Sequence, residues 1–502
     1  TLLVGAAARA MWLALPPFDL TPRAPAGVAP LTLALRGLTA RTGAWLGFVG
    51  GVVFFVPVLE GIGRIGTDAW LVLAAVQALC FVPLGAGIAL VTRLPGWPVW
   101  TAALWVGEEL LRGRVPFGGF PWARLAFSQT ATPLTPYASW GGAPLVTFVT
   151  ALAGGLLAYA AVAAHRAYGA RDGRRSPVLA AAALAAVAAL FGGGLLIPTP
   201  TSGRPVTVAV VQGDVPRIGL DWQGQRKAVL NNHVRVTREL AAKVRAGEVA
   251  RPELVVWPEN ASDLDPYADP EAYHAIHGAV KDVGVPVLVG ALTDTPDGER
   301  VENRGIVWDP ETGPGDYYVK RHPVPFGEYL PFREILTRLI TRFERIPRDF
   351  AKGDRSGVLR LGPVTVGDVI CFEVAYDREV RDVAPGDLMV VQTNNATYGR
   401  TSLPAQQLAM SRLRAVEHGR TILVAATSGI SAIVGPDGRV LDRSREFVPD
   451  IQVRTVPART SATLSDRLGA APEWLLAALG LGALCAAAWA ARNNSARNDE
   501  GN

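Results

Sequence analysis

The sequence has few cysteines, few histidines and few charged residues. Three Cys and six His in 502 residues leave little room for a disulfide framework. Charged residues make up only 19% of the chain, whereas hydrophobic residues make up 49%, which is too apolar for an ordinary soluble enzyme of this length. The net charge of +5 is small, and the basic residues do not cluster with aromatic residues as in nucleic-acid-binding proteins. The composition therefore indicates a membrane protein.

The apolar residues form separate long runs in about the first 200 residues and near the C-terminus, while the middle of the chain has the composition of a water-soluble domain. A transmembrane helix needs about 20 such residues. Because no cleavage site of small residues followed by polar sequence comes after the first run, we expect an anchor there and not a signal peptide. Spans are predicted near residues 43–62, 69–92, 97–112, 136–164, 177–197 and 473–491, with shorter runs at 1–16 and 28–36.

These runs predict four regions. We expect a transmembrane domain of about seven helices at residues 1–200, an outward-facing domain at 201–465, a C-terminal transmembrane helix at 471–491 and a cytoplasmic tail at 492–502. The orientation follows from the arginines of alternate loops, which the positive-inside rule places in the cytoplasm. These arginines are Arg36, Arg41, Arg93, Arg166, Arg171, Arg174, Arg175, Arg492 and Arg497.

Arg112, Arg114 and Arg124 lie in a loop on the opposite side and break this charge pattern. Close to them, Glu108 and Glu109 end an apolar run, and Gly119-Phe120-Pro121-Trp122, Ser128 and Gln129 follow. Acidic residues near a membrane are costly and often functional. Two interpretations stay open for them, a functional role or carboxylates at a helix end in the interface, and Trp122 also fits an interfacial anchor.

From Val206 onward, short β-rich runs alternate with helical stretches. This alternation, with strands that are apolar throughout, indicates an α/β domain whose sheet is buried on one face or on both. Helices are predicted at 222–246, 269–283 and 402–418. Strands are predicted at 206–212, 253–257, 285–290, 305–308, 316–319, 364–370, 388–393, 421–427 and 431–434.

Three ionisable residues come directly after predicted strands: Glu259, Lys320 and Cys371. Because ligands bind beyond the carboxyl ends of strands in α/β sheets, we expect these residues to meet in one site. A thiol becomes a good nucleophile beside a base or a positive charge. Glu259 is a candidate for the base that takes the thiol proton, and Lys320 a candidate for stabilising an oxyanion.

His274 and His277 have the spacing of a metal-binding pair on a helix, but the sequence offers no third ligand. A solvated helix face explains them better, and we expect no metal and no cofactor. Cys80 and Cys485 lie inside apolar runs, where a cysteine behaves as a small hydrophobic residue. Cys371 is therefore the cysteine whose surroundings suggest chemistry.

Three blocks around these residues resemble a known family. Trp257-Pro-Glu-Asn260, Lys320-Arg-His-Pro-Val-Pro-Phe-Gly-Glu-Tyr-Leu-Pro331 and Ile370-Cys-Phe-Glu373 are similar to the signature blocks of the carbon–nitrogen hydrolase (nitrilase) superfamily. They resemble most its membrane branch, the apolipoprotein N-acyltransferase family. The resemblance covers essentially the whole chain, from the N-terminal helices to the single C-terminal helix.

The resemblance implies an αββα sandwich and a Glu-Lys-Cys triad at Glu259, Lys320 and Cys371. It implies supporting roles for Glu328, Glu373 and Asn303. Where some family members have Tyr after the nucleophile, this chain has Phe372. The positions that the resemblance and this departure place near the substrate are Trp222, Pro331, Phe372 and Tyr398.

The resemblance also implies a two-step acyl transfer. A phospholipid, phosphatidylethanolamine, would acylate Cys371, and the α-amine of a diacylglyceryl-cysteine at the N-terminus of an apolipoprotein would then accept the chain. We expect a monomer in the bacterial inner membrane with its catalytic domain on the extracytoplasmic side. Because water must be excluded as an acceptor, we expect apolar arms over the cleft, with Phe326, Phe332, Phe343 and Tyr398 as candidates; core packing explains each of these residues about as well.

Two other functions share these residues or this fold. A membrane-tethered amidase or nitrilase would hydrolyse a small C–N substrate with the same triad, but it would not need so many helices. An inactive outward-facing scaffold would keep the fold, but Glu259, Lys320, Glu328 and Cys371 are all present, which argues against lost activity.

Overall fold

The computed structural model describes residues 1–168, 175–215, 222–339 and 348–499. The chain forms two compact units. The first consists of Thr1–Pro198, Thr401–Ala409 and Arg467–Asn502, and the second consists of Thr199–Arg400 and Met410–Asp466. Each unit therefore contains more than one stretch of the chain.

The first unit is helical. Its helices are apolar around most of their circumference, as expected for helices buried in protein or lipid. Gly141 and Gly142 interrupt the helical backbone of α7. The helices before residue 200 are α1 (Leu2–Leu13), α2 (Arg23–Leu35), α3 (Ala40–Val58), α4 (Thr67–Leu79), α5 (Phe81–Val91), α6 (Trp97–Arg112), α7 (Ala138–Tyr168) and α8 (Arg175–Leu195).

Five helical stretches in the described ranges are long and apolar enough to cross a membrane. α4 and α5 together make one of them, whereas α6 has 16 residues and is not among the five. The five stretches are Ala40–Val58, Thr67–Val91, Thr135–Ala167, Ser176–Leu195 and Ala471–Asn493.

The second unit contains twelve strands within the described residues. They are β1 (Arg204–Gln212), β2 (Leu254–Val256), β3 (Val287–Asp294), β4 (Val301–Asp309), β5 (Gly313–Val319), β6 (Val358–Leu361), β7 (Val364–Ile370), β8 (Leu388–Thr393), β9 (Ile422–Ala426), β10 (Ala432–Val434), β11 (Val440–Arg443) and β12 (Asp450–Ala458). The helices of the chain after α8 are α9 (Trp222–Arg245), α10 (Pro270–Val283), α11 (Arg333–Leu339), α12 (Asp377–Val383), α13 (Leu403–His418), α14 (Leu464–Leu468) and α15 (Ala471–Asp499).

The strands form two six-stranded sheets with orders β12-β1-β2-β3-β4-β5 and β11-β10-β9-β8-β7-β6. In the first sheet β1, β2 and β3 are parallel, and in the second β7, β8 and β9 are parallel. The two parallel centres are built mainly of β-branched residues that pack against each other between the sheets, such as Val208, Val256, Val366 and Val390. Residues that alternate with these face the outer helices.

Helices α9 and α10 cover the outer face of the first sheet. Their buried residues, including Leu240 and Ile276, pack on Val255, Trp257 and other outward-facing strand residues. Asp269 caps α10 by accepting hydrogen bonds from the backbone N–H groups of Glu271 and Ala272, which satisfies donors that a helix start leaves free. With α12 beside β7, the layers confirm the predicted αββα sandwich.

Three strands were missed by the sequence analysis: β6, β11 and β12. β6 has only four residues, and β11 is exposed along most of its length. β12 is an edge strand that carries Pro457, and proline disfavours a strand interior but is tolerated at an edge. None of the three has the continuous apolar pattern that identified the central strands.

Candidate active site

The three residues that follow strand ends come from both sheets. Glu259 lies three residues after the end of β2 and Lys320 directly after β5, both in the first sheet. Cys371 directly follows β7 in the second sheet. Because β2 and β7 each lie in a parallel centre, their carboxyl ends present these residues beyond the sheet edge.

Lys320 is the centre of a buried charge cluster. Its Nζ donates to Glu259 Oε1 at 3.1 Å and to Glu328 Oε1 at 2.7 Å. The lysine is 1% exposed. Burial by itself lowers the pKa of Lys320, but the neighbouring carboxylates of Glu259 and Glu328 raise it well above its usual value. Lys320 is therefore held as a cation.

Glu259 is fixed by donors on both of its oxygens. Besides Lys320, Asn303 Nδ2 donates to its Oε1 at 2.7 Å, and the backbone N–H of Asn394 donates to its Oε2 at 2.8 Å. The backbone at Glu259 lies against Gly290, where a Cβ would come 2.8 Å from Glu259 Cα. A side chain at residue 290 would therefore displace the glutamate.

Glu328 joins Lys320 from the loop before α11. Its Oε1 also lies 3.5 Å from Asn303 Nδ2, and its Oε2 accepts from the backbone N–H of Val324 at 2.7 Å. Burial raises the pKa of Glu328, and the positive charge of Lys320 opposes this shift. The cluster thus contains two carboxyl groups and one ammonium group.

Cys371 adopts a strained backbone at the end of β7. Its φ of 55° lies in the left-handed region, which costs energy for a residue with a side chain. Thr393 Oγ1 donates to its Sγ at 3.4 Å. Burial and then the charge of Glu259 raise the pKa of the Cys371 thiol to about 12, while Lys320 lowers it. The resting thiol is therefore protonated.

Glu373 fixes the backbone on both sides of this thiol. It is fully buried, and Tyr318 Oη donates to its two oxygens at 2.9 and 3.0 Å. The backbone N–H groups of Arg321 and His322 donate to its Oε1, and that of Ile370 donates to its Oε2. Burial raises the pKa of Glu373 to about 7. The carboxylate thus ties the segment after Lys320 to the end of β7.

The predicted substrate-contacting residues differ in their surroundings. Phe372 is 5% exposed, and its ring meets the edge of Tyr376 with 5.1 Å between centroids. Tyr398 is half-buried, and burial raises the pKa of its hydroxyl. Pro331 is half-buried. Trp222 begins α9, but its side chain lies outside the described part of the structure.

The predicted apolar arms are partly exposed. Phe326 is 41% exposed and Phe332 69% exposed, and both have positive φ angles. Phe343 lies outside the described residues. Among the residues that the structure describes, no group of three or more His, Cys, Asp and Glu is placed to hold a metal, and His277 Nδ1 accepts a hydrogen bond from Trp308 Nε1 at 3.2 Å.

Glu108 and Glu109 in the first unit are buried ion-pair partners and not exposed helix-end carboxylates. Glu108 pairs with Arg112 at 2.8 Å, and Glu109 pairs with Arg124 at 2.9 Å. Arg112 also donates to the backbone carbonyl of Phe120 at 3.2 Å. Two of the arginines that break the loop-charge pattern are thus engaged inside the protein.

Trp122 is also buried, with 7% of its surface exposed. Its Nε1 donates to Gln406 Oε1 at 2.6 Å. An interfacial anchor would keep its ring edge at the water boundary, so this structure does not support that interpretation of Trp122. Gln406 was missed by the sequence analysis because a glutamine at the start of a helix is unremarkable by itself.

Three residues of the second unit were missed as well: Thr393, Asn394 and Tyr318. Thr393 is the last residue of β8, and Asn394 follows β8 in the same way that Cys371 follows β7. Their position at the carboxyl end of a central parallel strand could have identified them. Tyr318 lies two residues before Lys320 on β5 and so faces the same side of the sheet.

Two family models match the chain. The apolipoprotein N-acyltransferase N-terminal domain matches residues 7–156, and the carbon-nitrogen hydrolase model matches residues 207–464. An amidase structure from Nesterenkonia sp. aligns with a TM-score of 0.37 at 20% identity, covering 54% of this chain and 97% of the amidase. The match of the carbon-nitrogen hydrolase model identifies residues 207–464 as a carbon–nitrogen hydrolase domain.

Curated relatives match both units together. The apolipoprotein N-acyltransferase of Mycolicibacterium smegmatis is 38% identical over 95% of this chain and 83% of the relative. That of Azotobacter vinelandii is 32% identical over 89% of this chain and 87% of the relative. That of Vibrio cholerae is 27% identical over 94% of both chains.

The chain belongs to the apolipoprotein N-acyltransferase family. It is an acyltransferase of the carbon–nitrogen hydrolase superfamily and a bacterial membrane protein. This membership confirms the resemblance found in the sequence.

Proposed function

We propose that this enzyme transfers an acyl chain from a phospholipid, through a thioester on Cys371, to the α-amine of the N-terminal diacylglyceryl-cysteine of a lipoprotein. The observation that carries the proposal is the cation of Lys320, held between Glu259 and Glu328 where its charge acts on the Cys371 thiol. This cluster supplies a base, a positive charge and a nucleophile at one place.

In the first half-reaction, Glu259 accepts the thiol proton while Cys371 Sγ bonds to the ester carbonyl carbon of the phospholipid. Lys320 stabilises the negative charge that develops on the carbonyl oxygen. The C–O bond then breaks, and Glu259 returns the proton to the leaving glycerol oxygen. The products are the acyl thioester and a lysophospholipid.

In the second half-reaction, the neutral α-amine of the acceptor attacks the thioester carbonyl carbon, and Glu259 takes a proton from the nitrogen. The C–S bond breaks as the amide forms. Sulfur leaves as the thiolate and recovers the proton from Glu259, which restores the resting thiol. The two half-reactions share one intermediate, so the kinetics are ping-pong.

The raised pKa of Cys371 fits this sequence of events. A thiol with a pKa of about 12 stays protonated until a bound ester makes proton transfer to Glu259 favourable. Thr393 donates to the sulfur, and the positive charge of Lys320 supports the thiolate when it forms. Thiolate is therefore generated only when a substrate is present to react with it.

Residues around Glu259, Lys320 and Cys371 hold these three side chains in position. Asn303 and Asn394 hold Glu259, Glu328 orients Lys320, and Glu373 fixes the backbone beside the thiol. We assign substrate contact to four further residues, because each lies near these residues in the sequence or falls on a position that matches the family. These four residues are Trp222, Pro331, Phe372 and Tyr398.

The membrane helices support lipid-anchored substrates. A donor phospholipid and a lipid-anchored acceptor both reach a site that is tethered to the membrane, whereas an amidase acting on a small C–N substrate has no need of the helices. We propose phosphatidylethanolamine as the donor, with a monomeric enzyme in the inner membrane. Residues 201–465 would face the extracytoplasmic side, 471–491 would cross the membrane, and 492–502 would be cytoplasmic.

Exclusion of water is the condition that separates transfer from hydrolysis. We propose that Phe326, Phe332 and Tyr398 shield the thioester, since the two phenylalanines present exposed rings on the loop that carries Glu328. A covered thioester reacts with the amine of a bound acceptor in preference to bulk water.

The test uses the purified full-length protein with phosphatidylethanolamine labelled in its sn-1 acyl chain, with and without a diacylated lipopeptide. We expect a labelled protein thioester without acceptor and label on the lipopeptide amine with it. Cys371→Ala should abolish both signals, and Cys80→Ala, a matched change at a free cysteine of the first unit, should abolish neither. Release of free fatty acid without transfer to the lipopeptide would contradict the proposal and favour a hydrolase.

A further inference from the structure

Asp368 is a buried carboxyl group that the mechanism above does not use. It lies on β7, three residues before Cys371, and shares the inward face of the strand with Val366 and Ile370. Its exposed surface is 0%. Neither of its oxygens accepts a hydrogen bond from any residue that the structure describes. A charged carboxylate in such a place would be very unfavourable.

The side chain of Gln392 on β8 lies beside that of Asp368 on the inward side of the sheet. It is fully buried, and its Nε2 donates to the backbone carbonyl of Trp257 at 2.6 Å. Its Oε1 receives no hydrogen bond within the described ranges. A Cβ at Gly305 of β4 would collide with Asp368 Oδ2 and would lie 2.6 Å from Gln392 Oε1. The two oxygens therefore border the same point beside Gly305.

The hydrogen-bonding capacity of Gln392 determines which of its atoms faces Asp368. The carbonyl of Trp257 can only accept, so it must face the amide nitrogen. The other side of the amide, Oε1, is then directed away from Trp257 and can only accept as well. An ionised Asp368 would place two acceptors at one buried point, whereas a protonated carboxyl group offers the donor that Oε1 lacks.

We propose that Asp368 is a positioning residue of the acyl transfer and acts as a neutral carboxylic acid that donates its proton to Gln392 Oε1. The Gln392 amide then donates to Trp257, two residues before Glu259. Gln392 itself is followed by Thr393 and Asn394, which contact Cys371 and Glu259. The chain of bonds from Asp368 through Gln392 to Trp257 thus joins the two sheets one layer beneath the triad.

The charges around Asp368 agree with a neutral acid. Burial, and then the negative charges of Glu373 and Glu259, raise the pKa of Asp368 well above its usual value. A carboxyl group whose pKa is raised by folding contributes stability that is full below its unfolded pKa and is lost as the pH rises through its folded pKa. The parent protein should therefore lose stability with rising pH relative to a variant whose group at residue 368 cannot ionise.

Asp368→Asn is the decisive variant, because the Asn Nδ2 can donate to Gln392 Oε1 without carrying a titratable proton. We expect its rate of thioester formation to stay within about threefold of the parent rate. Asp368→Val leaves Gln392 without a donor, and we expect its rate to fall about tenfold or more. Val390→Ala, a buried change on β8 one inward position from Gln392, is the matched control for loss of packing.

The second readout is the Tm of the full chain in detergent between about pH 6 and about pH 9. We expect the Tm of Asp368→Asn to exceed that of the parent. This margin, the difference between the two Tm values, should be larger at the upper end of this pH range than at the lower end, by at least about 3 °C. Val390→Ala should lower the Tm by the same amount at every pH. A constant margin for Asp368→Asn, or a rate as low as that of Asp368→Val, would overturn the proposal.

The activity readout rests on the proposed thioester chemistry, and the Tm readout does not. If the parent forms no thioester, the proposed function fails, and the pH dependence of the Tm margin still decides whether Asp368 is neutral. If the parent forms the thioester but the margin is constant, only the assignment of Asp368 fails.

Discussion

One cluster in each unit buries two glutamates, but the two clusters balance their charge differently. In the cluster of the first unit each glutamate has its own arginine: Glu108 pairs with Arg112 and Glu109 with Arg124. Glu109 is further fixed by the hydroxyl of Thr147 at 2.7 Å. Every charge in this cluster has a fixed counter-charge.

In the second unit Glu259 and Glu328 share the cation of Lys320, and within the described residues no group donates a hydrogen bond to the carboxyl group of Asp368. A cluster with one carboxyl group in excess can take up and release a proton with little rearrangement. When it gains a proton, the remaining carboxylate still pairs with the lysine; when it loses the proton, the two carboxylates share the lysine. The matched pairs lack this property because protonating one partner leaves a buried charge alone. The matched pairs of the first unit therefore stabilise the structure. The mismatched cluster of Glu259, Glu328 and Lys320 is suited to proton transfer.

The largest effect is expected for Lys320→Met, which removes the only cation of the mismatched cluster. Two buried carboxyl groups then face each other, and the developing oxyanion loses its stabilising charge, so thioester formation should fall by about a thousandfold or more. The measurement is the single-turnover rate with labelled phospholipid. Lys227→Met, which removes an exposed lysine paired with Glu271 at 2.6 Å, should leave the rate unchanged, and equal rates for both variants would refute the role of Lys320.

The next largest effect concerns the matched pairs. Arg124→Met leaves Glu109 as an uncompensated buried charge, and such a change costs about 3–5 kcal/mol in the free energy of unfolding. Thermal unfolding in detergent checks this prediction. Arg238→Met breaks an ion pair with Asp282 in which both side chains are exposed, and it should cost about 1 kcal/mol or less. A loss for Arg124→Met no larger than that for Arg238→Met would show that the pair of Glu109 is not structural.

An intermediate effect is expected for Glu328→Gln, which turns the mismatched cluster into a matched one. The rate should fall by about 10- to 100-fold. Because the charge of Glu328 helps to raise the pKa of Lys320, its removal lowers that pKa and shifts the alkaline limb of the pH–rate profile to lower pH. The control is Glu302→Gln, at a glutamate paired with Arg304. If the alkaline limb does not shift, the charge of Glu328 does not control the pKa of Lys320, and the prediction is wrong.

The smallest effect is expected for Phe372→Tyr, which adds a hydroxyl beside Cys371 without changing any charge. Since the ring already packs edge-on against Tyr376, we expect the rate to change by less than about threefold and stability by about 1 kcal/mol or less. Phe447→Tyr serves as the control for an added hydroxyl elsewhere in the unit. A large loss of rate would contradict this prediction and show that the added hydroxyl disturbs the bound acyl chain or amine.

The continuous apolar runs with helices between them predicted a buried α/β sheet, and the resemblance to the family implied the sandwich. Those runs also located Glu259, Lys320 and Cys371 at strand ends, and the Pro325-Phe-Gly-Glu-Tyr-Leu-Pro331 block gave the family. The structure adds the contacts, since Lys320 bonds both Glu259 and Glu328.

Other features could not be read from the sequence because they depend on pairings between distant residues. Glu109 and Arg124 are 15 residues apart along the chain, and Trp122 meets Gln406 across 284 residues. Asp368 and Gln392 lie on neighbouring strands, and their partnership depends on which amide atom faces Trp257. Residues of these types are common in any sequence. Their pairing becomes visible only when the fold brings the two positions together.

The protonated state of the Cys371 thiol has a consequence for the durability of the enzyme. Because burial and the charge of Glu259 raise the pKa of this thiol to about 12, only a very small fraction of the molecules carries a thiolate at neutral pH. Peroxides and alkylating reagents attack thiolates much faster than thiols. An idle enzyme should thus resist oxidation to the sulfenic acid, and iodoacetamide should label Cys371 far more slowly than a free cysteine in solution.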